Sequence, residues 1–106
     1  MPEQDAAVMR LASMVEFQAG SVVSRTLLKK EKGTVTLFAF AEGQGLSEHT
    51  APFDALVQVL EGEAEVRISG TPHRLAAGDA ILMPANEPHA LHAPRPFKML
   101  LTMIRA

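Results

Sequence analysis

From Gly20 onward, glycine or proline cuts the chain at short intervals: Gly33, Gly43, Gly45, Pro52, Gly62, Gly70, Pro72, Gly78, Pro84, Pro88, Pro94 and Pro96. This punctuation constrains the fold most, because the apolar runs between breaks suit strands and are too short for ordinary helices. Ser21 to Lys30, rich in Val, Leu and Thr, and Thr34 to Ala41 read as the first two strands. Ala55 to Leu60 is a third, with Glu61-Gly62 read as the turn that ends it. Glu63 to Ser69 has the cleanest pattern: Ala64, Val66 and Ile68 alternate with Glu63, Glu65, Arg67 and Ser69, as a half-buried strand requires. Ser69-Gly70 reads as a hairpin turn, followed by a short strand from Thr71 to Leu75. A turn at Ala77-Gly78-Asp79 leads to a strand from Ala80 to Met83. Pro84 to Pro88 is loop, since its two prolines remove ladder donors and bias their neighbours away from helix. His89 to Ala93 resumes an extended path, and Phe97 to Arg105 makes the last strand. The expected fold is an all-β sandwich or barrel over residues 13–106. Residues 1–12 read as a short helix through Ala6, Ala7, Val8, Met9 and Leu11, or as a frayed start.

A chain of 106 residues makes one domain, and its size lets it fold without disulfides or structural metal. Apolar residues make up 47% of it, which excludes a disordered protein. A net charge of −2 gives no electrostatic case for nucleic acid or an anionic membrane as partner. There are no cysteines, so disulfides and thiolate metal sites are excluded. No apolar run approaches a bilayer span, and the first residues lack a charged region followed by an apolar one. The cytoplasm is therefore the expected compartment.

Two segments carry chemistry. The first, Gly43 to Gly62, sets His49 just before a buried run. Alone, such a histidine is either a ligand to something held inside a β-fold or a core or rim histidine satisfied by a backbone carbonyl. The second, Gly78 to His92, places His89 five residues past Pro84, after a proline-bounded loop that fixes its direction. In a β-barrel, histidines from two different hairpins can converge at the mouth or interior. Imidazoles so placed suit transition metals such as Zn, Fe, Ni or Cu.

Here the sequence resembles the cupins, over about Gly20 to Arg105. Their first motif is Gly, five residues, His, one residue, His, three or four residues, Glu, six residues, Gly. This chain has Gly43, His49, Ala51, Ala55 and Gly62 at those positions. Their second motif is Gly, five residues, Pro, one residue, Gly, two residues, His, three residues, Asn. This chain has Gly78, Pro84, Asn86, His89 and Ala93 there. The resemblance implies a jelly-roll β-barrel, often dimeric, with a metal or small-molecule site inside. It implies His49 and His89 as metal ligands. Ala51 and Ala55 stand where the family usually has a second histidine and a glutamate, and neither donates to a metal. A catalytic zinc-type site usually takes three protein ligands, so the implied ion is a weakly held divalent metal (Zn, Ni, Fe or Mn), or none.

Strand parity weighs the other candidates. Ala55, Val57 and Val59 share the inward face, which turns Gln58 outward; Glu48 faces away from His49, and His92 away from His89. His73 lies on another hairpin and reads as solvated. Asp54, in the irregular segment before the strand, is left open by parity. Three functions follow: a metal-binding barrel walled by Val57, Val59, Met83 and Phe97, a non-catalytic small-ligand or sensor module, and metal-free acid/base isomerisation. In the last, His49 is the base and Asp54 its orienting carboxylate. Weak metal binding ranks first and metal-free catalysis last, and the sequence leaves open whether the protein is an enzyme.

A doubled apolar pattern bears on assembly. Phe38 and Phe40 oppose Leu37 and Ala39, and Leu100 and Ile104 oppose Phe97, Met99, Leu101 and Met103. A small barrel buries only its inner face, so a second copy is the expected cover, with Phe38, Phe40, Leu100 and Ile104 taken as the residues otherwise left wet. Light scattering at micromolar concentration should give the mass of a homodimer; a monomer mass would remove this expectation.

Overall fold

The computed structural model describes residues 6–105. It is the expected all-β jelly-roll barrel, with eight strands, all of whose pairings are antiparallel. These are β1 (Val22–Lys30), β2 (Gly33–Phe40), β3 (Gly45–His49), β4 (Asp54–Ile68), β5 (Thr71–Ala76), β6 (Ala80–Met83), β7 (His89–His92) and β8 (Phe97–Ile104). One sheet runs β1-β2-β8-β4-β6 and the other runs β3-β7-β4-β5. The long strand β4 belongs to both: residues 54–62 pair with β8, and residues 63–68 pair with β5.

This corrects the reading of Glu61-Gly62 as a turn. The register of β4 against β8 slips between Val59 and Glu61, and Gly62 has φ +82°. A left-handed glycine serves a bulge as well as it serves a turn, and here the strand continues beyond it. A Cβ on Gly62 would fall on the carbonyl oxygen of Pro96, so the strand crosses β8 at the closest approach its backbone allows. The Ser69-Gly70 turn does end β4, with φ of 50° and 84° at its two residues, as a tight hairpin requires.

Period-two alternation fills the space between the sheets. Ala55, Val57 and Val59 from one half of β4, and Ala64 and Val66 from the other, join Phe40, Leu75, Met83, Leu91, Phe97 and Met99 in one buried cluster. Each fully buried Val, Leu or Phe contributes roughly 1.5–3 kcal/mol. Phe40 stacks on Phe97 with ring centroids 4.5 Å apart, adding about 0.5–1.5 kcal/mol beyond area burial.

The outer face differs from expectation. Phe38 and Phe40 point inward, packed in the inner cluster; Leu37 and Ala39 are the outward residues of β2. The chain itself covers them: Leu11, Met14 and Val15 fold over Leu37, Ala39 and Leu100. Lys98 clamps this cover. It is only 9% exposed, and its ammonium donates to Ala12 O at 2.6 Å, pairs with Glu61 at 3.1 Å and lies 5.0 Å from the Phe17 ring centroid. Residues 6–10 carry no regular structure and Leu11–Ser13 is a 3-10 turn; the part of the N-terminal reading that concerns residues 1–5 lies outside the described residues. Farther along the same face Leu56, Leu82 and Ile104 stay exposed, at 37%, 58% and 60%. Among the described residues no helix is long and apolar enough to cross a membrane.

Gly62 and Gly70 share a positive φ but differ in surroundings, since a Cβ on Gly70 meets nothing within 4 Å. In urea melts Gly70→Ala should cost about 1–2 kcal/mol, the left-handed penalty alone. Gly62→Ala should cost at least about 4 kcal/mol. Equal losses would contradict the contact with β8.

Candidate functional site

The segment before Pro52 is a strand that its sequence conceals. Gly45 to His49 is polar and mostly exposed because, among the described residues, β3 is an edge strand paired with β7 alone. Its register advances three residues, Leu46 to His49, while β7 advances two, Leu91 to His89. The extra residue is a bulge, and it changes where His49 points. Three residues past the inward Leu46, a regular strand would turn His49 outward; the bulge returns it to the inner face.

Both histidines are fixed in the same way. His49 Nδ1 lies 2.7 Å from the Ser47 carbonyl oxygen, and His89 Nδ1 lies 3.2 Å from that of Glu87. A carbonyl can only accept, so each Nδ1 carries a hydrogen, and an imidazole with no second hydrogen then keeps its lone pair on Nε2. The two Nε2 atoms then face each other at 3.1 Å, with ring centroids 4.3 Å apart. His89 is 7% exposed, while His49 opens to solvent at the rim.

The loop before His89 is tied down on both sides. Asn86 N–H donates to the Ala51 carbonyl, Ala85 N–H to Asp54 Oδ1 and Ser69 N–H to the Pro88 carbonyl, at 2.8, 2.9 and 2.8 Å. The Ser69 hydroxyl donates to Glu87 at 2.6 Å. Asn86 holds φ 66°, a conformation that asparagine tolerates. These bonds hold β7 against the segment that follows His49.

Beside the pair lies a cavity of about 60 Å³, lined by Leu46, His49, Ala51, Phe53, Ala55 and Met83, and by His89, Leu91, Met99, Leu101 and Met103. Of the four wall residues expected, Met83 lines it, whereas Val57, Val59 and Phe97 are buried deeper in the core. The Arg105 guanidinium lies 4.8 Å from the centroid of the Phe53 ring, which forms part of the wall. The volume admits an ion with a water or two, or a very small ligand, since each water takes about 30 Å³.

The remaining candidates stand elsewhere. Asp54 faces outward and is occupied by Ala85, so it does not orient His49, whose Nδ1 partner is Ser47. Gln58, Glu48, His73 and His92 are exposed. Among the described residues no third His, Cys, Asp or Glu joins the pair. Sequence reasoning missed Met99, Met103 and Phe53; shared parity with the inward Phe97 on β8 was the signal for the two methionines.

A family model described as the cupin domain matches residues 36–104. Among solved structures, a conserved protein of unknown function from Streptococcus pyogenes is 37% identical with a TM-score of 0.91, over 97% of this chain and 90% of that one. A cupin 2 conserved barrel domain protein from Leptotrichia buccalis is 40% identical with a TM-score of 0.89, covering 92% of this chain and 47% of the longer one. A cupin superfamily protein from Desulfitobacterium hafniense is 29% identical with a TM-score of 0.90, over 97% and 94% of the two chains. No curated protein matches.

Proposed function

The chain belongs to the cupin domain family, and from that premise we propose that it is a binding barrel whose guest is a transition-metal ion held between His49 and His89. The 3.1 Å approach of two Nε2 atoms, each with its Nδ1 committed to a carbonyl, carries this reading. Two such nitrogens at 3.1 Å share either a proton, as an N–H···N hydrogen bond, or a metal ion, and metal–nitrogen bonds of about 2.0–2.1 Å can span that separation. The Ser47 and Glu87 carbonyls act as partners that fix tautomer and ring orientation. A bound ion with open positions acts as a Lewis acid toward a small oxygen ligand. Binding is modest, because Ala51 and Ala55 line the cavity where the family's further ligands would stand.

A second reading, a small neutral ligand donating hydrogen bonds to the same Nε2 atoms, draws support from the apolar lining. A sugar nucleotide does not fit, since pockets for drug-sized ligands run to about 300–1,000 Å³. The isomerase alternative also loses its carboxylate, because Asp54 serves the loop. For assembly, a second copy of the chain is the proposed partner, packed on Leu56, Leu82 and Ile104; Leu56 and Leu82 are direct cross-strand neighbours.

Calorimetric titration of the chelator-treated chain with Zn(II) and Ni(II) tests the metal reading. Binding should weaken at least about tenfold in His49→Ala. It should also fall with acidification, since protonated imidazole cannot ligate. The double change Ala51→His with Ala55→Glu should raise affinity at least about tenfold, or 1.4 kcal/mol. No binding to the native chain, and no gain in a folded double variant, would leave the small-ligand reading in front.

A further inference from the structure

We propose that the site between His49 and His89 selects a soft monovalent ion, Cu(I), over the divalent metals; this rests on the reading of the two histidines as metal ligands. The observation behind it is the register around Ala55. On β4, Ala55 pairs with Met83 of β6 on one side and Met103 of β8 on the other. All three face the cavity, and Met99, four residues before Met103 on the same inner face, lines it too. Directly opposed residues have Cβ atoms about 4.5–5.5 Å apart, so two thioether side chains flank the small methyl of Ala55. Where the resemblance implies a carboxylate, the chain places an alanine between two thioethers.

Donor chemistry then sorts the ions. Carboxylate and water suit hard divalent ions, imidazole suits several borderline ones, and thioethers select Cu(I). Three of the chain's six methionines line this one cavity, as do both histidines. Charge points the same way. Among the described residues no carboxylate stands with the histidine pair. An ion entering this partly closed, apolar site keeps its charge uncompensated, and a single charge costs less to desolvate than a double one. A site with soft donors and no hard ones favours the softer, less charged ion.

The test uses the full chain, chelator-treated and kept anaerobic. Cu(I) affinity is read by competition with bicinchoninate, and Zn(II) affinity by calorimetry. Cu(I) should bind at least about a hundredfold more tightly than Zn(II). Titration with Ag(I), a redox-inert stand-in, should shift the methyl resonances of Met83, Met99 and Met103 in protein carrying 13C-methyl methionine. Those of Met9 and Met14, outside the cavity lining, should stay in place. Met83→Leu combined with Met103→Leu, a volume-conserving change, should lower the Cu(I)-to-Zn(II) affinity ratio at least about tenfold, whereas Met9→Leu should not. His49-dependent Zn(II) binding with unmoved Met83 and Met103 methyls would overturn the Cu(I) assignment and leave the two-histidine site standing, with methionine only filling space. Absence of binding by every metal would overturn both.

Discussion

The approach of β4 to β8 at Gly62 is the constraint on which the rest of the structure depends. A single strand has to serve two sheets, so it must bend where it leaves one and joins the other. The bend occurs at a residue with φ +82°, packed so closely on the Pro96–Phe97 backbone that no side chain fits. Upstream, Ala55, Val57 and Val59 face the core; downstream, Ala64 and Val66 face it from the other sheet. The bulge reconciles the two sets, since a strict period of two would not keep both facing inward across the join. Lys98, at the same crossing, ties Glu61 to the N-terminal cover, so the bend and the closing of the outer face share one buried cation.

A second bulge does for the site what the first does for the fold. His49 faces the interior because β3 carries one residue more than β7 between Leu46 and His49. The same bulge presents the Ser47 carbonyl to His49 Nδ1, and the loop before β7 presents Glu87's to His89. Each ring is held by a carbonyl two residues earlier, which frees its other nitrogen for the cavity. The polar side chains of the loop take structural work: Asp54 holds Ala85, and Glu87 holds Ser69. That leaves the cavity with nitrogen and sulfur donors and a largely apolar wall.

Sequence showed what depends on neighbours along the chain. The alternation of Ala64, Val66 and Ile68, the Ser69-Gly70 turn and the inward parity of Ala55, Val57 and Val59 are local facts, and the barrel class follows from them. Spacing singled out His49 and His89. What stayed hidden depends on partners distant in sequence. Gly62 looks like a turn because its conformation is shared by turns and bulges, and only the strand beyond it decides. The strand Gly45–His49 was concealed because an edge strand with one partner has little apolar demand. Phe38 and Phe40 were assigned to the wrong face, since alternation tells which residues share a side and not which side is covered. Met83 and Met103 come to flank Ala55 only through the register of three strands.

The account turns on the direction of two lone pairs, and 15N imidazole correlation spectra of the metal-free chain read that direction. At mildly alkaline pH, His49 and His89 should each show the Nδ1–H tautomer with an unprotonated Nε2. Exposed His73 and His92 serve as references in the same spectrum. Finding the Nε2–H tautomer at either His49 or His89 would mean that its ring donates into the cavity, and would contradict a site built from paired nitrogen ligands.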